Sequence, residues 1–145
     1  MVRGMRVISI HKADTGKSIP LPLMLSGVKA GFPSPAEDYT DRTLDLNEHL
    51  IPRPSATFLV RASGESMVAA GILDGAILVV DRSLEARDGS IVVALVDGCF
   101  TVKRLRTRGN SHTLEAANPA YPDIMPLDDE SRIWGVVTYS INRMG

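Results

Sequence analysis

Cysteine is almost absent from this sequence: Cys99 is the only one among 145 residues. A single thiol cannot form a disulfide within the chain or supply a multi-cysteine metal site, which excludes disulfide-stapled and zinc-ribbon architectures. The three histidines, His11, His49 and His112, are scattered along the chain and are interpreted as solvated surface residues, not metal ligands. We therefore expect no metal, no other cofactor and a reducing compartment.

An excess of charge of one sign is also missing, as are long apolar runs. The formal net charge is −1 at pH 7, so no basic field would attract phosphates, and direct sequence-specific DNA binding is not expected. No segment approaches the roughly 20 apolar residues that span a membrane. Lys12, Asp14 and Lys17 interrupt the region in which a signal peptide has its apolar segment. This composition predicts a cytoplasmic protein without membrane attachment.

What the sequence does contain is a series of short apolar segments with turn residues between them. Such segments are typical of β-strands, and they cover residues 57–62, 76–80, 91–96, 99–105, 113–116 and 133–141. Asp97-Gly98, between two of these segments, predicts a tight hairpin. The pattern predicts a mainly β fold, a partly open β-barrel or sandwich.

The N-terminal part of the chain has a different character. Residues 1–30 are interpreted as a flexible arm ahead of a domain at 31–145, because they mix charge, proline and short apolar runs without sustained periodicity. Within the arm, Val7–Ile10 predicts an edge strand. From Asp41 to Leu50 the leucines predict a short helix, which Pro52 ends. Thirty residues are too few for a helix-turn-helix domain and a linker.

Two polar residues stand where a nucleophile and its base are expected. Ser66 follows a predicted strand and Gly64, so its hydroxyl is presented from a turn. Lys103 alternates with Thr101 and Leu105 on one face of the returning hairpin strand. Burial lowers the pKa of a lysine, and the neutral amine then accepts a proton from a serine hydroxyl. Backbone amides in the turn, including that of Ser66, would hold the oxyanion.

By spacing alone, the ordinary alternative stays open: Ser66 is a turn residue and Lys103 an exposed strand residue. Several ordered segments, however, resemble the LexA/UmuD family of self-cleaving serine–lysine peptidases, and its UmuD branch most. The matching nucleophile segment is 63–67 and the matching lysine segment is 97–105. The stretches 31–39 and 54–57 resemble the UmuD branch in particular, and the likeness extends over roughly residues 28–145.

The resemblance implies a LexA-like peptidase domain in which Ser66 is the nucleophile and Lys103 the base. It implies self-cleavage between Ala30 and Gly31, because the family cuts after a small residue that is followed by glycine. UmuD chains typically have cysteine where Ala30 stands, a difference that is conservative in size. The resemblance also implies stimulation by the RecA nucleoprotein filament in the SOS response. The product would be a homodimer that assists a UmuC-like Y-family polymerase in error-prone translesion synthesis.

Three other interpretations of the sequence are possible. The chain is a non-catalytic dimeric regulatory scaffold, or a self-cleaving repressor-type fragment whose DNA-binding part lies elsewhere. A signal peptidase also uses serine and lysine, but it would need a membrane anchor. The chain length and the UmuD-like segment at 31–39 favour a UmuD-type protein over the repressor-type fragment.

Overall fold

The structure, a computed structural model, describes residues 4–18, 20–22 and 43–145. The strands in chain order are β1 (Arg6–Lys12), β2 (Pro20–Pro22), β3 (Thr43–Asp45), β4 (Thr57–Ser63), β5 (Ile77–Asp81), β6 (Ile91–Val96), β7 (Cys99–Arg108), β8 (Ser111–Glu115), β9 (Ile124–Pro126) and β10 (Ser131–Ile141). One α-helix, α1 (Leu46–Leu50), and two 3-10 turns, Pro54–Ala56 and Val68–Ala70, complete the described elements.

The chain divides into two compact units, and the smaller one comprises Asp14–Pro52. Within it β2 and β3 pair antiparallel, and α1 follows directly. Asp45 caps the helix, because its carboxylate accepts a hydrogen bond from the Asn47 amide at 3.1 Å. The predicted helix over 41–50 is therefore wrong at 43–45, where the backbone is extended and paired, and α1 begins only after the cap; residues 41 and 42 lie outside the described residues.

The larger unit contains the residues up to Ala13 and those from Arg53 onward, and it is an antiparallel barrel. Six strands follow one another in the order β1-β4-β5-β10-β6-β7, and β7 pairs back onto β1 through Thr101 and Arg6. β8 and β9 extend the sheet beyond β7. The predicted mainly β, barrel-like fold is confirmed. β1, predicted as an edge strand, is the strand that closes the barrel and leaves no unpaired edge there.

The hairpin between β6 and β7 sets the position of Lys103. Asp97 and Gly98 both have positive φ, 51° and 75°, as the predicted tight hairpin turn requires. The turn fixes the register, so that Lys103 lies opposite Val92. Because side chains alternate across a strand, this register decides which face of the sheet carries Lys103.

Two apolar clusters pack on opposite faces of this hairpin. One cluster includes Val93 and Val102 together with buried residues of β4 and β5. The other consists of Val92, Ala94, Val96, Leu105 and Leu114. Burial of each valine or leucine side chain in these clusters contributes about 1.5–3 kcal/mol to the free energy of folding. Lys103 lies on the same face of β7 as the second cluster. These apolar side chains exclude water from the aliphatic part of the Lys103 side chain.

Asp81, at the end of β5, is a buried carboxylate that the fold satisfies completely. It accepts hydrogen bonds from Arg53 Nε at 2.6 Å, the Ser83 amide at 2.8 Å and the Ser83 hydroxyl at 2.6 Å. Burial acts to raise the pKa of Asp81, but the bonds from Ser83 and Arg53 outweigh it and hold that pKa below its ordinary value.

We expect Asp81→Asn to lower the free energy of unfolding by about 1–3 kcal/mol, because an amide group would face the Arg53 donor. The wild-type carboxylate stabilises the fold fully above the ordinary aspartate pKa of about 3.9 and loses this effect as pH falls further. Urea unfolding between neutral and acidic pH measures both effects. The exposed Asp129, changed to Asn, is the control, and equal stability of the two variants at neutral pH would contradict the prediction.

Candidate active site

Ser66 lies in the turn that leaves β4, and the turn is anchored at its base by Asp74. Gly64 has φ +110°, which reverses the chain direction without strain. The Gly64 amide donates a hydrogen bond of 2.7 Å to Asp74 Oδ1. Ser66 itself is fully buried. The sequence pattern predicted Ser66 after a strand end, and the structure places it there, in a turn whose Gly64 amide is held by a carboxylate ten residues further along the chain.

The other side of the same turn is held by the loop after β8. Asn118 donates its side-chain amide to the Glu65 carbonyl at 2.8 Å, and the Ala69 amide donates to the Ala117 carbonyl at 2.8 Å. The Ala117 amide lies 3.4 Å from the sulfur of Met67. The sequence analysis did not identify this support. Asn118-Pro119 is only a turn signal, and nothing local shows which turn it contacts.

Lys103 lies in the middle of β7 and is 4% exposed. Its neighbours on the same face are Thr101 and Leu105, and Val92 lies opposite on β6; all three are buried. Burial lowers the pKa of the Lys103 amine, and the Asp123 carboxylate partly opposes this by favouring the charged form. The alternative in which Lys103 is an exposed strand lysine is therefore wrong. A buried lysine of this kind is poised to lose its proton more easily than a solvated one.

The side chains of Ser66 and Lys103 converge on one residue, Gly4. A Cβ atom added to Gly4 would lie 3.0 Å from Ser66 Oγ and 3.3 Å from Lys103 Nζ. The hydroxyl and the amine therefore border the same residue-sized space, although 36 residues separate them in the sequence. The predicted cleavage residues, Ala30 and Gly31, lie outside the described residues.

The N-terminal segment covers this pair of groups. The Met5 amide donates a hydrogen bond of 2.7 Å to Ser66 Oγ, and the Thr101 hydroxyl donates one of 3.0 Å to the Met5 carbonyl. Met5 is 1% exposed. Beside the segment lies a cavity of about 510 Å³, lined by Gly4, Met5, Arg6, Val7, Asp97, Cys99, Phe100 and Thr101. Sequence reasoning missed both the segment and Thr101, though Thr101 shares the predicted face of Lys103.

The histidines and the cysteine lie apart from Ser66 and Lys103 in burial. His11, His49, His112 and Cys99 are all exposed. Among the residues that the structure describes, no three His, Cys, Asp or Glu side chains are grouped to hold a metal ion. Over the same residues, no helix has the length and apolar character to cross a membrane.

Removing the Asp74 carboxylate should loosen the Ser66 turn. We expect Asp74→Ala to speed hydrogen exchange at the Gly64 amide and to lower the free energy of unfolding by about 1 kcal/mol, because that amide loses its acceptor. Asp74→Asn retains an acceptor oxygen and is the matched control, with exchange close to wild type. Unchanged protection of Gly64 in the alanine variant would show that Asp74 does not hold the turn.

The titration of Lys103 should reveal its burial. We expect its pKa to lie below that of an exposed lysine, and Asp123→Asn to lower it further by removing the opposing carboxylate. Since the unfolded state then binds more protons, the free energy of unfolding rises as pH increases through the folded-state pKa. NMR titration of chains with ¹³C-labelled lysine measures the pKa directly. Asp129→Asn removes an exposed charge as the control, and an ordinary lysine titration at Lys103 would contradict the prediction.

Comparison with known proteins identifies the family of the chain. Residues 22–138 match the Peptidase S24-like family. The chain is 50% identical to Protein ImpA of Escherichia coli over 123 residues, 84% of this chain and 83% of that protein. It is 48% identical to Protein SamA of Salmonella typhimurium over 122 residues, 84% and 85% of the two chains. With Protein MucA of Escherichia coli it shares 43% identity over 139 residues, 94% of each. The UmuD-type resemblance is thereby confirmed, and the chain belongs to the Peptidase S24-like family.

Proposed function

We propose that this chain is a serine endopeptidase that cuts its own Ala30–Gly31 bond, with Ser66 as nucleophile and Lys103 as base. The observation that supports this most is the convergence of Ser66 Oγ and Lys103 Nζ on the space at Gly4. Both side chains are buried, and burial lowers the pKa of the amine. The chain also belongs to a peptidase family, which supports the roles of nucleophile and base for these two groups.

In the proposed reaction, neutral Lys103 takes the proton of the Ser66 hydroxyl while Ser66 Oγ attacks the carbonyl carbon of Ala30. The Ser66 amide and a neighbouring amide of the turn stabilise the negative oxygen of the tetrahedral intermediate. Lys103 returns the proton to the Gly31 nitrogen, which leaves as a new N-terminus. Water, deprotonated by Lys103, then hydrolyses the ester between Ser66 and Ala30, so the enzyme groups return to their starting state.

The bond to be cut is tethered to the groups that cut it. Gly31 and Ser66 are joined by a stretch of chain that spans on the order of 100 Å when fully extended, at ~3.3 Å per residue. Tethering of this kind gives an effective concentration in the mM range, so no separate affinity for a substrate is needed. Cleavage within one chain and cleavage across a homodimer both satisfy this length.

The biological setting that we propose follows from the UmuD-type resemblance. The RecA nucleoprotein filament stimulates the cleavage by stabilising the conformation in which Ala30–Gly31 lies at Ser66 while Lys103 is neutral, which is a shift of populations. The product, residues 31–145, acts in the cytoplasm as a homodimer that assists a UmuC-like Y-family polymerase. The protein would thus serve error-prone translesion synthesis in the SOS response.

Substitution of either catalytic group should stop the reaction. We expect Ser66→Ala and Lys103→Ala each to slow self-cleavage by at least about a thousandfold, because neither group alone activates the attack. Lys103→Met tests the same point while retaining an aliphatic stem among the buried neighbours. Intact-mass measurement during incubation at alkaline pH, with and without activated RecA, follows the appearance of a new N-terminus at Gly31.

Ser63→Ala and Arg104→Ala are the controls, since they change another serine and another basic residue close in sequence to the two proposed catalytic positions. Both should cleave at close to the wild-type rate. Normal cutting in the Ser66 or Lys103 variants would rule out the dyad. A wild-type chain that stays intact with RecA, single-stranded DNA and nucleotide would favour the non-catalytic scaffold.

A further inference from the structure

Residues 4–6 are bound in the cleft in the manner of an extended peptide. On one side the Met5 amide donates to Ser66 Oγ, and on the other the Thr101 hydroxyl donates to the Met5 carbonyl. Arg6 pairs with both Ser63 of β4 and Thr101 of β7. A peptide strand held by backbone hydrogen bonds between two flanking strands is the general form of β-strand addition. The cleft is therefore a docking site for an extended strand, and this chain's own N-terminal segment occupies it.

The docked peptide bond is presented in an orientation that does not lead to cleavage. Ser66 Oγ lies at hydrogen-bonding distance from the Met5 amide nitrogen and accepts its proton. A hydrogen bond points along the N–H bond and therefore lies close to the plane of the peptide group. Attack on the Gly4 carbonyl requires the oxygen to approach from above that plane. The Gly4–Met5 bond thus sits at the nucleophile while the bonding geometry protects it.

The close fit depends on the absence of a side chain at residue 4. Gly4 has φ +120°, a conformation that L side chains rarely adopt, and its Cβ would crowd Ser66 Oγ at 3.0 Å. Gly64 contributes from the opposite side, since a Cβ there would approach the Met5 Cα to 3.3 Å. Two glycines therefore allow the segment to lie directly on the Ser66 turn.

From these contacts we propose that Gly4-Met5-Arg6 is a built-in pseudosubstrate that occupies the strand-docking cleft and blocks Ser66. The inference rests on the proposed function, because a pseudosubstrate presupposes a substrate strand that competes with it. That competitor is the segment that carries Ala30–Gly31, because the proposed reaction brings the Ala30 carbonyl to Ser66 Oγ. The two segments cannot occupy the cleft together, so self-cleavage proceeds only from the fraction of molecules in which residues 4–6 have left.

Gly4→Ala tests the proposal, because it adds both backbone strain and a methyl group against Ser66 Oγ. We expect the variant to cut Ala30–Gly31 about tenfold faster than wild type at alkaline pH, since the competent fraction increases. Gly4→Leu, with a larger side chain, should accelerate cleavage at least as much. Gly89→Ala is the matched control: Gly89 has φ +86°, but a Cβ there would meet nothing within 4 Å. It carries comparable backbone strain without touching the cleft.

Hydrogen exchange at the Met5 amide is measured on the same full-length chains, and it does not depend on catalysis. Two results together support the proposal. Met5 exchange is slow in wild type and in Gly89→Ala but fast in the Gly4 variants, and the Gly4 variants cut Ala30–Gly31 faster than wild type. Fast Met5 exchange with unchanged or slower cutting at Ala30–Gly31 would overturn the pseudosubstrate while leaving the peptidase intact. A Met5 amide that is unprotected in wild type would overturn the docking itself. Absence of cutting in every chain, wild type included, would instead refute the proposed function and with it the pseudosubstrate role.

Discussion

The central physical constraint in this molecule is a lysine amine held out of water beside a buried hydroxyl. An ammonium group in such surroundings loses much of its hydration, so the folded protein favours the neutral form and lowers the pKa of Lys103. The lost solvation is a cost to folding that the neighbouring apolar packing must offset. The second apolar cluster, which includes Val92 and Leu105, supplies that packing on the same face of β7. Chemistry and stability are thus connected through one side chain.

Two local elements of the barrel set the positions of this amine and of the Ser66 hydroxyl. The β6–β7 hairpin sets the register of Lys103, and the turn after β4 sets the position of Ser66. Asp74 and Asn118 hold that turn from two sides with hydrogen bonds of 2.7 and 2.8 Å. The proposed reaction would need such support, because small displacements of reacting groups slow reactions strongly.

β1 has a double role that links architecture to the site. Its pairing with β4 and β7 closes the barrel, and the residue just before it donates to Ser66. β1 therefore closes the sheet, and the residue that precedes it covers Ser66. A change that detaches the start of β1 would open the Ser66 cleft and also expose part of a sheet edge, which gives the covered state a structural advantage.

Much of the barrel was predictable because its signals are local. The apolar segments of β4, β5, β6 and β7 and the Asp97-Gly98 turn are visible in the sequence, and the structure has strands and a hairpin at those places. The helix expected over 41–50 was only half right, since pairing between β2 and β3 extends residues 43–45. β9 was missed, as Ile124–Pro126 is three residues long and offers no periodicity.

For the site, the sequence by itself determined the residue types and, through alternation along β7, the shared face of Thr101 and Lys103. The sequence also has glycine at positions 4 and 64, but it does not show which residues these glycines contact. Only the tertiary structure decided that Ser66, Lys103 and Gly4 meet, and that Asp74 and Asn118 hold the turn. The physical reason is that these contacts join residues far apart in the chain. Their distances depend on sheet order and register, which arise from the packing of the whole barrel and not from any local pattern.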